Sequence, residues 1–192
     1  YLEFDNKMLQ WINEIRGKKR SGINAPGELI DVAHILHELR LIKRHEEIKL
    51  MEIAATVSSA GHRRAMRACC PNKYEFEIAS EVEYEFKRQG SYSTAYPSIV
   101  AGGKNACVLH YTNNTDVLQD GDLLLIDAGA EIDCYASDIT RTFPINGKYT
   151  GEQLALYEIV LMAQKAAIAE VKPGNNWNQP HESAVRILTE GL

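Results

Sequence analysis

The chain has 192 residues, of which 45% are hydrophobic and 24% are charged, and its formal net charge at pH 7 is −5. These values are ordinary for a globular protein with one sizeable core, and the acidic balance argues against nucleic acid as the main partner. No apolar run approaches the ~20 residues of a membrane-spanning helix, so no membrane partner is expected. The four cysteines form no C-x-x-C pair, which favours a reducing cytoplasm over a disulfide framework or a zinc ribbon.

The N-terminal part of the sequence has the pattern of helices. Apolar residues recur at helical spacing between Met8 and Ile15, and Gly17 is placed to end this helix. Residues 18–31 contain an adjacent proline and glycine, so this stretch is predicted to be a connector.

Residues 32–90 are also predicted to be mostly helical. A charged segment, residues 43–49, is the expected boundary between two helices, and Pro71 follows the second of them. A further amphipathic helix is predicted to end at Gly90.

The character of the sequence changes after this third helix. Residues 95–111 contain two short apolar runs around a Gly-Gly pair, which predicts two strands joined by a turn, with His110 ending the second. Two further strand-like runs, residues 123–131 and 134–143, are predicted to pair as a hairpin.

A long helix is predicted after the hairpin. Thr150 and Gln153 make a capping box at its start, and Pro173-Gly174 is placed to end it. Helices therefore precede and follow a group of strands without strict alternation. This order predicts an α+β fold in which helices cover an antiparallel sheet.

Two aspartates stand in the predicted hairpin where its pattern indicates burial. With a tight turn at Ile132 and Asp133, Asp127 lies directly opposite Asp138, and opposed β-carbons are ~4.5–5.5 Å apart on one face. Two carboxylates at that distance repel, so one holds a proton or a cation lies between them. Oxygen ligands on rigid strands suit a divalent metal ion. From spacing alone, the alternative is that Asp127 caps the turn and Asp138 faces the solvent.

The motifs around these aspartates resemble those of a known family. The segments "HELRLIKRHEEI", "YPSIVAGGKNACVLHYTNN", "DGDLLLIDAG" and "YASDITRTFPINGKYT" are similar to the metal-dependent aminopeptidase P and prolidase family, the pita-bread peptidases. The likeness extends over residues 38–174 without a large gap. Its detailed form resembles bacterial aminopeptidase P more than prolidase.

The resemblance implies a site for two divalent metal ions, typically manganese. In the family, the residue matching Asp127 binds one ion and the residue matching Asp138 bridges both. Together, the two metal ions activate a water that attacks the bond between an N-terminal residue and a following proline. The histidine matching His110 contacts the substrate or the tetrahedral intermediate.

Thr140 is a candidate for orienting a metal-bound carboxylate, because it lies two residues after Asp138 and on the same strand face. A structural role as a β-branched strand residue is an equal alternative for Thr140. Taken alone, His110 is also compatible with a structural role.

The resemblance further predicts how the chain is organised. Residues 1–40 are expected to be the C-terminal remnant of an N-terminal domain with its linker. Residues 41–192 are expected to be the first half and the start of the second half of a pita-bread domain. The remaining family ligands, one histidine and two glutamates, are expected beyond Leu192, so this chain alone is expected to be inactive.

Three functions stay open at this point. The first is an Xaa-Pro aminopeptidase whose partner is a peptide with proline at the second position. The second is a prolidase-type dipeptidase, and the third is a non-catalytic pita-bread module that binds peptides or proteins. Family members often form homo-oligomers, so a homo-oligomer is an open alternative for the assembly.

Overall fold

The computed structural model describes residues 2–192, which form two compact units. The first unit ends at Arg44 and contains α1 (Leu2–Gly17), a short 3-10 turn (Lys19–Ser21) and α2 (Val32–Leu41). The carboxylate of Asp31 caps α2 by accepting a hydrogen bond of 2.8 Å from the backbone N–H of Ala33. The second unit, His45–Leu192, carries every residue of the predicted site.

Four helices lie in the second unit: α3 (His45–Ala68), α4 (Glu75–Arg88), α5 (Gly151–Ala169) and α6 (Asn178–Gly191). The helix boundary predicted in the charged segment is confirmed, because α2 ends at Leu41 and α3 begins at His45. The predicted capping box is also confirmed. The Thr150 hydroxyl accepts from the N–H of Gln153 at 3.2 Å, and the Gln153 side chain accepts from the N–H of Thr150 at 3.0 Å.

The strands form two small antiparallel sheets. Their bounds are β1 (Ser93–Thr94), β2 (Ile99–Gly102), β3 (Leu123–Ala128), β4 (Ala130–Ile132), β5 (Tyr135–Ala136) and β6 (Ile139–Pro144). One sheet has the order β1-β4-β5 and the other the order β2-β3-β6. The predicted α+β class, with helices and antiparallel sheet, is confirmed.

Strand β3 explains why an apolar run ends in an aspartate. Its alternate residues Leu124, Ile126 and Ala128 are fully buried and belong to the core that α3 and α4 cover. The side chains between them point to the opposite face, where Asp127 is half-buried. The run is therefore apolar on both faces of the sheet, and the acid lies on the face away from the core.

The second strand predicted within residues 95–111 is wrong. After β2 the chain enters a 3-10 helix, Gly103–Cys107, and then a turn in which Val108 and Leu109 are 55% and 85% exposed. Gly103 has a φ of 52°, which directs the chain away from the sheet. His110 therefore lies in an irregular loop and not at a strand end, and its own φ is 54°.

Among the described residues, no helix has both the length and the apolar character that crossing a bilayer requires.

We expect Gly61→Ala to lower the free energy of unfolding by about 1–3 kcal/mol, because a buried ring would have to shift. A β-carbon at this position of α3 would lie 2.4 Å from Cε1 of Phe86, which is 1% exposed. Urea unfolding followed by circular dichroism measures the change. Gly151→Ala in α5 is the control, since nothing lies within 4 Å of its β-carbon position. Equal stability of the two variants would contradict the packing of α3 against α4.

Candidate metal centre

The two aspartates lie on neighbouring strands, but the predicted register of the hairpin is wrong. Asp127 pairs with Thr140, and Ala128 pairs with Ile139. Asp138 is therefore displaced by two residues from the position opposite Asp127. Because side chains alternate with a period of two, a shift of two residues keeps both aspartates and Thr140 on one face of the sheet.

The position of the turn causes this shift. The turn lies at Asp133 and Cys134, which both have positive φ values, 47° and 69°. Two successive residues with positive φ form the type of turn that matches the twist of a two-residue hairpin. The flanking pair is Ile132 with Tyr135. The sequence signal for this turn is weak, because asparagine and glycine, which favour positive φ, are absent.

The hairpin is interrupted at Gly129, between β3 and β4. A β-carbon on Gly129 would lie 1.8 Å from the carbonyl oxygen of Ser137, so only glycine permits this approach of the two chains. The carbonyl of Gly129 accepts a hydrogen bond of 2.8 Å from the N–H of Ala95. This contact brings the residue after Ala95, which is Tyr96, to the level of Asp127.

Helix α3 supplies partners for the backbone at the interruption. Ser58 accepts from the N–H of Ala130 at 2.7 Å, and Nε2 of His62 donates to the carbonyl of Ala128 at 3.2 Å. Ser58 also contacts the hydroxyl of Ser137. Ser58 and His62 are four residues apart and so lie on one face of the helix. These contacts fix the backbone on both sides of Gly129.

His62 serves this structural role in the neutral form. It is 3% exposed, and burial lowers its pKa despite the opposing effect of its backbone hydrogen bond. Its Nδ1 has no hydrogen-bond partner among residues 2–192. In the structure His62 contacts the sheet from the core side.

Tyr96 joins the two aspartates and was missed by the sequence reasoning. Its hydroxyl lies 2.6 Å from Oδ1 of Asp127 and 2.9 Å from Oδ1 of Asp138. The two carboxylate oxygens are therefore no farther apart than the sum of these distances. Burial and the hydrogen bonds to the two acids raise the pKa of Tyr96 well above its ordinary value. The only sequence signal was a tyrosine before a proline in a polar loop.

The protein groups around this cluster do not balance the negative charge of both carboxylates. A phenol carries one proton, so Tyr96 can donate to only one of the two carboxylates at a time. Within residues 2–192, neither aspartate forms an ion pair with lysine or arginine. A cation beside the carboxylates would satisfy the second one, and oxygen ligands suit a hard divalent ion. The residues therefore fit part of a metal site.

The described residues do not contain a full set of ligands. No group of three histidine, cysteine, aspartate or glutamate side chains comes together in this part of the chain. His110 is exposed, and no hydrogen bond between it and either aspartate is present in residues 2–192. Thr140 lies directly across from Asp127 and is exposed. The structure thus brings together Asp127, Asp138 and Tyr96, with Thr140 beside them.

Comparison with known proteins assigns the family. The family model described as metallopeptidase family M24 matches residues 49–192. The chain belongs to this family. It is also 50% identical over 165 residues to the Xaa-Pro aminopeptidase of Haemophilus influenzae, covering 86% of this chain and 38% of that protein.

Solved structures give the same result for the fold. Aminopeptidase PepP of Pseudomonas aeruginosa superposes with a TM-score of 0.95 at 51% identity, over 100% of this chain and 43% of that one. Zinc-substituted Escherichia coli aminopeptidase P in complex with product gives 0.94 at 39% identity, over 100% of this chain and 44% of that one. The predicted pita-bread fold is confirmed. The chain spans about two fifths of the length of these M24 relatives.

We expect Gly129→Ala to destabilise the protein by at least about 3 kcal/mol, because its β-carbon would overlap the Ser137 carbonyl and separate the two chains. Chemical denaturation measures the loss. Gly27→Ala is the control, since its β-carbon would meet nothing within 4 Å. A stable Gly129→Ala protein whose backbone amide signals match the wild type would contradict the close approach.

Proposed function

We propose that the complete protein carrying this sequence is a metal-dependent Xaa-Pro aminopeptidase. It would hydrolyse the bond between an N-terminal residue and a following proline. The observation that carries this proposal is the pair of aspartates held at one tyrosine hydroxyl in a chain of the M24 family. The name of the Haemophilus influenzae relative, at 50% identity, supports this choice of substrate.

Asp127 and Asp138 are the residues proposed to hold two divalent ions. Asp127 would bind one ion and Asp138 would bridge the pair, with one histidine and two glutamates beyond residue 192 completing the set. Manganese is the proposed metal. When bound, such a pair lowers the pKa of a water and neutralises the charge that develops on the substrate. Because residues 2–192 bring together no ligands besides Asp127 and Asp138, the chain is expected to be inactive alone.

Three other side chains are proposed to act through hydrogen bonds. Tyr96 donates a hydrogen bond to one carboxylate at a time and lies between the two. Thr140, across from Asp127, would orient the carboxylates through its hydroxyl. His110 would donate a hydrogen bond to the oxygen of the scissile carbonyl as negative charge develops on it.

The organisation and setting of the protein complete the proposal. Residues 1–40 are proposed to be the end of an N-terminal domain with its linker. The partner is a peptide with proline at the second position, the compartment is the cytoplasm, and a homo-oligomer is the proposed assembly.

Addition of Mn²⁺ to the ¹⁵N-labelled chain should broaden the amide signals around Asp127 and Asp138, because a paramagnetic ion bound there relaxes nearby nuclei. Asp138→Asn should abolish this local broadening, since it removes one of the two carboxylates. Asp133→Asn, the same change at the exposed tip of the hairpin, is the control and should retain it. Equal broadening in both variants would place the metal elsewhere.

Peptidase assays on the complete protein with Mn²⁺ test the reaction itself. We expect release of the first residue from an Xaa-Pro tripeptide, and about 100-fold slower release when alanine replaces the proline, because alanine fills less of the pocket. Cleavage of Xaa-Pro dipeptides alone would favour a prolidase-type dipeptidase. Binding of the peptide without turnover under any divalent metal would favour the non-catalytic module.

A further inference from the structure

A fully buried carboxylate lies outside the metal centre. Glu75, the first residue of α4, is 0% exposed and forms no ion pair within residues 2–192. Its Oε1 accepts from the N–H of Gly102 at 2.8 Å and from Nδ2 of Asn105 at 3.0 Å. Its Oε2 accepts from the hydroxyl of Tyr111 at 2.8 Å and from the N–H of Asp116 at 3.0 Å. All four partners are hydrogen-bond donors.

These four donors fit an ionised carboxylate and no other side chain. A carboxylate only accepts and has room for two donors on each oxygen, whereas an amide would turn its NH₂ toward two of them. A buried charge is tolerated when hydrogen bonds of this kind replace its hydration. Loss of the carboxylate would leave several buried donors without an acceptor, at a cost per group that exceeds the net value of an ordinary hydrogen bond.

The four donors lie at both ends and in the middle of one segment, residues 102–116. This segment has no strand pairing after β2, and its regular structure is a single 3-10 helix. Asn105 reinforces the arrangement, since its Nδ2 also lies 3.0 Å from the Tyr111 hydroxyl and 2.9 Å from Oδ2 of Asp116. The backbone of Glu75 participates as well, because its N–H donates to the carbonyl of Asp116 at 3.0 Å. One carboxylate therefore accepts hydrogen bonds from donors along the whole loop, which Asn114 also ties to the backbone of Ser98 and Val100.

His110 lies in this loop, next to Tyr111. It is exposed and has a positive φ, and no hydrogen bond of its side chain is present within residues 2–192. The neighbouring Tyr111 hydroxyl donates to Glu75, and burial together with this hydrogen bond raises the pKa of Tyr111, which keeps it a donor. The position of the His110 backbone is thus determined one residue away.

We infer that Glu75 is a positioning residue for His110. It acts through the Gly102, Asn105, Tyr111 and Asp116 donors, and it holds the imidazole of His110 where the substrate carbonyl is bound. The inference rests on the proposed function for the role of His110, while the anchoring of the loop stands on the hydrogen bonds themselves.

Helix α4 offers a matched control for this inference. Glu85, near its last turn, is also a buried carboxylate, but its partners are Arg88, Gln89 and Arg64 and not the loop. Glu75→Gln and Glu85→Gln are therefore the same chemical change on the same helix. They differ in which groups lose their acceptor.

Hydrogen exchange on the chain tests the anchoring. In Glu75→Gln the amides of Gly102 and Asp116 should exchange at least about tenfold faster than in the wild type, because their acceptor is replaced by a mixed donor and acceptor. The amide of Ile126 in β3 reports global opening and should change less. Glu85→Gln should leave the loop amides unchanged relative to Ile126. Equal acceleration of loop and core amides in Glu75→Gln would overturn the anchoring, and Tyr111→Phe provides a milder variant if Glu75→Gln does not fold.

Kinetics of the complete protein test the positioning. Glu75→Gln should lower kcat by about 10- to 100-fold, as expected for displacement of a catalytic group, with KM changed less than about threefold. In a His110→Ala background, Glu75→Gln should lower kcat by less than about threefold, because the group it positions is gone. The same loss in both backgrounds would overturn the inference.

The single and double variants of Glu75 and His110 also separate the inference from the proposed function. If His110→Ala leaves kcat unchanged, the role proposed for His110 fails and Glu75 is only the anchor of the loop. If His110→Ala lowers kcat and Glu75→Gln does not, the proposed function stands and the positioning role fails.

Discussion

The carboxylates of Asp127 and Asp138 share one tyrosine hydroxyl, and the rest of the site follows from the electrostatic cost of that arrangement. Two unit charges about 5 Å apart near a protein surface repel by a few kcal/mol at an effective dielectric constant of ~20. One phenolic proton can offset this repulsion for one carboxylate only. The fold holds the acids together despite the repulsion, which is the arrangement expected of a cation site.

The backbone around the site is fixed by contacts on the far side of the sheet. Gly129 allows the two chains of the hairpin to approach, and Ser58 and His62 of α3 bind the backbone groups that the interruption leaves without strand partners. The core formed by α3, α4 and β3 therefore positions Asp127 and Asp138 through contacts on the opposite face of the sheet. In the same way, Glu75 of α4 reaches the loop that carries His110. Helix α3 thus connects the buried core to the two aspartates, and α4 connects it to the loop of His110.

The sequence was sufficient for α1 to α5, the strand β3 and the pair of acids, because each depends on local periodicity or on a recognisable motif. The turn of the hairpin was predicted one residue too early. Asp133 and Cys134 adopt positive φ without the glycine or asparagine that would indicate it. The strand predicted to end at His110 was wrong for a related reason. Its apolar residues suggested a strand, but the loop is held by hydrogen bonds to Glu75, which is more than 20 residues away in the sequence. Tyr96 was missed because its role depends on Gly129 and Ala95 meeting across the fold.

Anomalous diffraction from crystals of the complete protein soaked with Mn²⁺ tests the central claim most directly. The account predicts anomalous peaks at the Asp127 and Asp138 carboxylates, with metal–oxygen distances near the ~2.0–2.6 Å usual for divalent cations on oxygen ligands. A map without density at these two acids, or with metal bound only at other residues, would contradict it.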